Sequence, residues 1–217
     1  MVEMALKNIK VVSLDLDGTI VSKNFADYFW LELVPELYAR EHGLSIEEAK
    51  SVVLSMYDEV GPDDIRWYLP DYWFTKFKLS KPYTQVLESI KHKVEVFQDA
   101  VETINKLCGK YDLIITTNAS KVFIDVELQV ININCFKKIF SCVSDYNLPR
   151  KTKEFYLSIC KELSISPCEM LHVGDDEKYD YQVPRDIGIN AFLIDRFGKK
   201  VSLPHTLRSL TQLISLL

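Results

Sequence analysis

The amino-acid sequence predicts an α/β protein in which a parallel sheet is covered by helices on both faces. Four short, apolar and β-branched runs, at residues 9–16, 111–117, 170–173 and 190–194, predict buried strands. Segments with helical spacing separate the later runs, and this alternation is typical of a parallel sheet with crossover helices. A long stretch without strand-like runs follows the first strand, and it predicts an all-helical subdomain inserted into the α/β core.

Four helices are predicted among the later strands, and two of them end at a glycine. Gly109 and Gly188 directly follow their helical patterns, where a left-handed residue commonly ends a helix. Pro184 is expected near the start or at a kink of the last helix, because proline cannot donate the interior backbone hydrogen bond. The predicted helices span residues 99–108, 121–130, 152–163 and 178–187.

The insertion is predicted between residues 22 and 92. It contains 13 of the 25 aromatic residues in about a third of the chain, which predicts a hydrophobic core of its own. Ser45 and Glu48 have the spacing of a capping box, in which each side chain satisfies a backbone N–H of the other residue. We therefore expect a helix that begins after Ser45 and continues to about Glu59.

Composition and charge argue against several classes of protein. The 217 residues carry a formal net charge of −5, which disfavours the broad basic surface that nucleic-acid binding requires. The sequence contains no run of about 18 apolar residues, so no membrane-spanning helix is expected. We expect a cytoplasmic protein, monomeric or homodimeric, with neither nucleic acid nor membrane as a partner.

Five cysteines are scattered along the chain without a C-x-x-C pair. This pattern favours reduced, buried thiols over a zinc or redox site. A disulfide between Cys135 and Cys142 would require an oxidising compartment or the cytosol of a hyperthermophile. The histidines have no metal-ligand spacing, and His172 is expected to be a packed core residue inside a strand.

Two carboxylates mark the end of the first predicted strand. The sequence VVSLDLDGT places Asp15 and Asp17 at the carboxyl end of a buried strand, where open parallel sheets bind their ligands. Alternation along the strand would put both side chains on one side, and two carboxylates so close repel each other. A cation relieves this repulsion, and carboxylate oxygens suit Mg²⁺. The sequence therefore predicts a magnesium site at this point.

The segment DLDGT resembles the first motif of the haloacid dehalogenase-like superfamily, whose members are mostly phosphatases. This resemblance implies that Asp15 is the nucleophile and forms an aspartyl-phosphate. It also implies that Asp17 protonates the leaving oxygen and then acts as the base for water. Asp17 favours phosphoryl chemistry, because the true haloacid dehalogenases usually lack this second aspartate.

Two later segments are similar to the phosphate-binding motifs of this superfamily. LIITTN at residues 113–118 looks like the strand that ends in Thr or Ser, which implies that Thr117 and Asn118 hold a phosphate oxygen. Lys151 is the preferred match to the phosphate-binding lysine, although Thr152 replaces the proline that usually follows it. The segment LPRKTKEFY offers three basic residues for this role, Arg150, Lys151 and Lys153.

LHVGDDEKYD at residues 171–180 resembles the fourth motif. The resemblance implies that Asp175 binds Mg²⁺ together with Asp15 and Asp17. Asp180 either binds the metal as well or orients the residues around it. Asp176 stands where many members have serine, so it either enters the outer shell of the metal or caps the following helix.

The resemblance implies a Rossmann-like catalytic core at residues 1–21 and 93–217, with an all-helical cap at residues 22–92. Caps inserted at this point usually admit small molecules and exclude large ones. We therefore predict a magnesium-dependent phosphoric monoester hydrolase that acts on a small phosphorylated metabolite. The alternatives are a phosphomutase, a haloacid dehalogenase, and a protein that binds a phosphorylated ligand without turnover.

Overall fold

The computed structural model describes residues 6, 8–198 and 203–217, and within them a six-stranded sheet forms the centre of the molecule. The strands are β1 (Val11–Leu14), β2 (Asp112–Thr117), β3 (Phe136–Ser141), β4 (Met170–Gly174), β5 (Asn190–Ile194) and β6 (Thr206–Leu207). Their order in the sheet is β3-β2-β1-β4-β5-β6, and every described pair of neighbouring strands is parallel. The predicted Rossmann-like α/β fold is therefore confirmed.

Helices connect the first five strands, and one more helix follows β6. Shorter 3₁₀ or π-helical segments span Phe29–Leu33, Ile65–Tyr68, Lys91–Lys93, Pro167–Glu169 and Glu177–Gln182. The described α-helices are α1 (Asn24–Tyr28), α2 (Val34–His42), α3 (Ile46–Val60), α4 (Pro70–Lys76), α5 (Tyr83–Ser89), α6 (Gln98–Leu107), α7 (Lys121–Ile131), α8 (Cys142–Tyr146), α9 (Lys153–Glu162), α10 (Val183–Asp186) and α11 (Gln212–Leu216).

Both faces of the sheet are buried, because alternate residues of β1 enter two different apolar clusters. Val12 and Leu14 belong to the larger cluster, which also contains residues of α6 and α7. Val11 belongs to the smaller cluster, in which Phe155 and Ile159 of α9 cover the opposite face. This arrangement explains why the central strands are continuous apolar runs in the sequence.

The insertion between β1 and α6 is helical, as predicted, but its aromatic residues do not form a separate core. All of residues 22–92 are described, and none lies in a strand. Phe123 of α7 contacts the insertion, with its ring centroid 5.8 Å from Phe25, 5.1 Å from Phe29 and 5.7 Å from Trp30. The prediction of an independent core is therefore wrong, since one apolar cluster continues from the insertion into the sheet layer.

The predicted capping box is present at the start of α3. The Ser45 hydroxyl accepts a hydrogen bond from the Glu48 N–H at 3.3 Å, and the Glu48 carboxylate accepts one from the Ser45 N–H at 3.0 Å. The predicted helix is thereby confirmed to within one residue at its end. Pro184 lies at the start of α10, directly after the π-helical segment Glu177–Gln182, which agrees with the predicted position near a helix start or kink.

A disulfide joins Cys108 to Cys135, with their Cα atoms 5.7 Å apart. The expectation of five reduced thiols is therefore wrong, and Cys142 is not the partner of Cys135. Cys142 and Cys160 are free and buried, whereas Cys168 is free and exposed. Among the described residues, no helix is both long enough and apolar enough to span a membrane.

Candidate active site

The carboxyl ends of three neighbouring strands meet at one edge of the sheet. Asp15 follows β1 directly, and its N–H donates to the Val173 carbonyl at 2.8 Å. Thr117 ends the neighbouring strand β2, and Asp175 follows β4 on the other side. This edge is where parallel sheets place their ligands. The topology therefore brings together residues that are up to 160 positions apart in the chain.

Lys151 is the basic residue that contacts Asp15. Its Nζ lies 2.6 Å from Asp15 Oδ1 and 3.4 Å from the Thr116 carbonyl oxygen, and it also forms an ion pair with Asp180. Only 2% of the Lys151 surface is exposed. A buried lysine with two carboxylate partners provides a fixed positive charge beside the carboxylate that was predicted to attack phosphate.

The two other basic residues of this segment point elsewhere. Arg150 Nε lies 3.4 Å from Asp63 Oδ1, in the helical insertion. Lys153 Nζ lies 2.9 Å from Asp186 Oδ2, and both of these side chains are largely solvent-exposed. Of the three candidates, the structure brings only Lys151 to Asp15.

Burial and ion pairing together set the charges of this cluster. Burial raises the pKa of Asp15, and the Lys151 ammonium opposes that shift. Burial also opposes the ionisation of Asp180, but Lys151 and His172 outweigh it and hold the pKa of Asp180 well below its usual value. Burial likewise opposes the charge of Lys151, but the two carboxylates outweigh it and raise the pKa of Lys151.

Three carboxylates form a group that can hold a metal ion. One oxygen each of Asp15, Asp175 and Asp180 lies within 4.8 Å of the others. This all-oxygen donor set fits the hard ligands that Mg²⁺ prefers. A Cβ on Gly18 would lie 2.7 Å from the Asp175 carboxylate, so the backbone at this position needs glycine for the close approach. The side chain of Asp17 is outside this group, and its predicted role as a metal ligand stays a prediction.

Asp17 lies against Glu127, a residue of α7 that the sequence interpretation did not identify. Glu127 is completely buried, and among the described residues neither of its carboxylate oxygens has a hydrogen-bond donor. Burial, with Asp17 beside it, raises the pKa of Glu127 well above its usual value. Burial also raises the pKa of Asp17 to about 6. Two buried carboxyl groups so close hold a proton more tightly than an isolated one.

The predicted phosphate-binding residues lie at the end of β2. The Thr117 hydroxyl accepts a hydrogen bond from the Ala119 N–H at 3.0 Å and is almost completely buried. The side-chain oxygens of Asn118 and Ser120 are buried and have no hydrogen-bond partner among the described residues. Buried polar atoms normally have partners, so this orphaned pair is consistent with a ligand-binding position.

Asp176 caps the helical segment that follows it. Its Oδ1 accepts hydrogen bonds from the Lys178 N–H at 2.9 Å and the Tyr179 N–H at 2.8 Å. Asp180 accepts from the Asp176 N–H at 3.0 Å. Of the two roles considered for Asp176, capping is therefore the one seen in its contacts.

His172 is buried in β4, as expected, and its hydrogen bonds connect the sheet interior to the acidic group. Its Nδ1 lies 2.9 Å from the Ser13 hydroxyl, and its Nε2 lies 3.0 Å from Asp180 Oδ1. The Tyr156 hydroxyl also lies 3.1 Å from Nε2. His172 therefore supports the carboxylate that pairs with Lys151, and burial holds its own pKa below the usual value.

Residues 9–188 match the model of the haloacid dehalogenase-like hydrolase family. The chain belongs to this family. The resemblance drawn from the four motifs is thereby confirmed, and the protein is a hydrolase. The match covers both the Asp15 segment and the Asp175–Asp180 segment.

Similar proteins extend over most of the chain. The solved HAD phosphatase of Thermococcus onnurineus is 26% identical with a TM-score of 0.84, over 96% of this chain and 97% of that one. The HAD-hydrolase YfnB of Bacillus subtilis, solved with magnesium bound, is 20% identical over 97% of this chain and 99% of that one. Its TM-score of 0.66 shows that the two proteins share the fold. The GMP/IMP nucleotidase YrfG of Escherichia coli is 22% identical over 178 residues, 81% of this chain and 78% of that protein.

In this haloacid dehalogenase-like hydrolase, a second lysine stands at the rim of the acidic group. Lys23 Nζ lies 2.7 Å from Asp175 Oδ2, and half of the Lys23 side chain is exposed. Its Cε lies 2.8 Å from the position that a Cβ on Gly18 would occupy, so the aliphatic part of the Lys23 side chain lies against the backbone of the first motif. Lys23 lines cavities on both sides of this rim. No motif in the sequence identifies this lysine.

Proposed function

We propose that this hydrolase is a magnesium-dependent phosphatase that forms an aspartyl-phosphate on Asp15. The observation that carries this proposal is the buried contact of Asp15 with Lys151, next to Asp175 and Asp180. An anionic nucleophile that approaches an anionic phosphate needs fixed positive charge, and Lys151 provides it. Asp15, Asp17 and Asp175 would hold Mg²⁺, with Asp180 beside them. Bound Mg²⁺ supplies further charge compensation and polarises the phosphoryl oxygens.

The proposed reaction has two steps, formation of the aspartyl-phosphate and its hydrolysis. In the first, an Asp15 oxygen forms a bond to phosphorus while the ester bond breaks, and Asp17 gives its proton to the leaving oxygen. In the second, water attacks phosphorus, Asp17 accepts the water proton, and the bond between phosphorus and Asp15 breaks to release inorganic phosphate. Thr117 and Asn118 would orient the phosphoryl oxygens, and Lys151 would stabilise their charge in both steps.

We also propose that residues 22–92 act as a cap over a core made of residues 1–21 and 93–217. Aromatic residues of the insertion, among them Trp30 and Trp67, line a cavity that also contains Asp17 and Asn118. A cavity shared by insertion and core excludes water from the reacting groups and limits the size of the substrate. This supports a small phosphorylated metabolite, and the nucleotides named for the Escherichia coli relative belong to that class.

Release of inorganic phosphate from p-nitrophenyl phosphate tests the proposal. We expect turnover with Mg²⁺, loss of turnover with a chelator, and recovery when Mg²⁺ is restored. Asp15→Asn should lower kcat at least about 1,000-fold, because the nucleophile is lost. Asp112→Asn, which removes a charge at the exposed start of β2, is the matched control. Asp15→Asn with undiminished turnover would contradict the mechanism.

The role of Asp17 has a separate test. A residue that protonates the leaving oxygen matters most for a poor leaving group, so Asp17→Asn should lower kcat for an alkyl phosphate about 100-fold or more. The same variant should lose less with p-nitrophenyl phosphate, whose leaving oxygen needs little protonation. Equal losses with both substrates would show that Asp17 is not the proton donor. Isomerisation of a sugar phosphate without phosphate release would favour the phosphomutase alternative.

A further inference from the structure

The leaving group must lie on the Asp17 side of the phosphate, because Asp17 is the proposed proton donor. A cavity of about 200 Å³ lies on this side, and Asp17, Asn118 and Ser120 are among the polar residues that line it. Lys23 and Asp27 also line it, together with four aromatic rings from the insertion and from α7. These rings belong to Trp30, Trp67, Tyr68 and Phe123. A leaving group that extends from Asp17 into this cavity therefore has both polar side chains and aromatic faces beside it.

A second cavity of about 230 Å³ adjoins the first within the insertion. The two share Asp27, Trp30 and Trp67 as lining residues. Leu31, Leu54 and Tyr57 make most of the remaining wall apolar. Flat aromatic side chains and leucines around a volume of this size suit a planar ring, which gains dispersion and stacking contacts there.

The charges of the second cavity restrict what can enter it. Asp27 and Asp58 line it, and its lining residues include neither lysine nor arginine. A substrate with a carboxylate at the far end would be repelled by these two groups. A neutral ring that carries N–H or O–H donors would instead find acceptors. This argues against substrates that carry a carboxylate at the end remote from the phosphate.

We propose that the second cavity is the base-binding subsite for a nucleoside 5′-monophosphate. The order of chemistry along the two cavities matches the order of groups in such a molecule. Phosphate lies at Asp15, the ribose hydroxyls lie near Asp27 between the cavities, and the base lies between Trp30, Trp67 and Leu54 with its donors toward Asp58. This inference rests on the proposed phosphatase function and names its substrate class.

A comparison of substrates tests the subsite. GMP, AMP and CMP should be hydrolysed with a kcat/KM at least about 10-fold above that of ribose 5-phosphate, which has the same phosphate and sugar but no base. 3-Phosphoglycerate, which ends in a carboxylate, should be hydrolysed less efficiently than ribose 5-phosphate. Nucleotides no better than ribose 5-phosphate would overturn the proposal.

A variant that fills the second cavity provides the structural test. Leu54→Trp places a larger side chain in this cavity and should lower the ratio of kcat/KM for GMP to that for ribose 5-phosphate at least about 10-fold. The matched control is Val52→Trp, at an exposed position of the same helix, which should keep the wild-type ratio. An unchanged ratio in a folded Leu54→Trp protein would overturn the subsite.

The two proposals fail in different ways. If the protein releases phosphate from neither ribose 5-phosphate nor p-nitrophenyl phosphate, the phosphatase function itself is wrong. If it hydrolyses both but shows no preference for nucleotides, only the base subsite is wrong. Circular dichroism of the Leu54→Trp and Val52→Trp variants separates a folding defect from a change in specificity.

Discussion

Lys23 pairs with Asp175, one of the three carboxylates that could hold a metal ion. Its ammonium contacts Asp175, and Asp15 and Asp17 also favour its charged form. Burial opposes that charge, but the three carboxylates outweigh it and raise the pKa of Lys23. Because half of its side chain is exposed, we expect Lys23 to leave Asp175 when a cation binds there, as a replaceable counter-ion.

Removal of this counter-ion should strengthen metal binding. An ion pair of this exposure contributes up to about 1 kcal/mol, and Mg²⁺ must break it to reach Asp175. We expect Lys23→Met to lower the dissociation constant for Mg²⁺ by roughly fivefold, as measured by isothermal titration calorimetry without substrate.

Lys93→Met is the control for the loss of one positive charge, since Lys93 contacts the Tyr28 ring at 4.0 Å and is not paired with Asp175. It should leave the affinity for Mg²⁺ close to that of the wild type. Weaker binding of Mg²⁺ by Lys23→Met would show that the lysine assists the metal instead of competing with it.

Asp99 shows how a single carboxylate connects two elements that lie far apart in the sequence. It stands in the first turn of α6 and accepts hydrogen bonds from Arg196 Nη1 at 2.7 Å and from the Leu210 N–H at 2.8 Å. The Ser209 hydroxyl donates to it as well, at 2.9 Å. Burial opposes its ionisation, but these donors outweigh it and lower the pKa of Asp99.

Asp99→Asn should therefore destabilise the protein in a pH-dependent way. The folded-state pKa is lower than the unfolded one, so the carboxylate stabilises the fold above about pH 4, the ordinary range of an aspartate. That stabilisation is lost as the pH falls through the folded-state value. We expect a loss of about 1.5–3 kcal/mol at pH 7 in urea unfolding, and a smaller difference from wild type at pH 3. Glu102→Gln, exposed on the same helix, should change little at either pH.

The strands that were predicted from the sequence are those buried on both faces of the sheet. Strands β1, β2, β4 and β5 are apolar runs because both faces of the sheet are covered. Strand β3 was not predicted, since it lies at the edge of the sheet and carries Lys137 and Lys138. Edge strands commonly carry such charges, which hide the apolar pattern. The two-residue strand β6, at the other edge, is too short to give a pattern.

Site residues at the ends of strands were predicted from the sequence, whereas a site residue in the middle of a helix was missed. Asp15 and Asp175 directly follow strands and Thr117 ends one, so strand prediction and motif order located them together. Glu127 lies in the middle of a helix, where a glutamate ordinarily faces solvent. Its burial against Asp17 depends on the packing of α7 over the sheet, which no local spacing reveals. Residues that reach a site through tertiary packing are therefore beyond single-sequence reasoning.

At the scale of the whole molecule, insertion and core are held together by side chains on both sides of their boundary. Phe123 of the core packs against three rings of the insertion. Arg150, directly before Lys151 in sequence, contacts Asp63 and lies 5.9 Å from the Tyr68 ring in the insertion. Tyr68 also lines the cavity that contains Asp17. The position of the insertion is thus coupled to the loop that carries Lys151.

The Cys108–Cys135 disulfide encloses β2 and α7, and with them Thr117, Asn118 and Glu127. Closing a loop across 27 positions should stabilise the fold by about 3–4 kcal/mol through the entropy of the unfolded chain. We expect a reductant to lower the midpoint of urea unfolding in the wild type, and Cys108→Ser to remove that response. Cys168→Ser, at an exposed free thiol, should keep it. Five titratable thiols in the unreduced, denatured protein would contradict the bond, and three would agree with it.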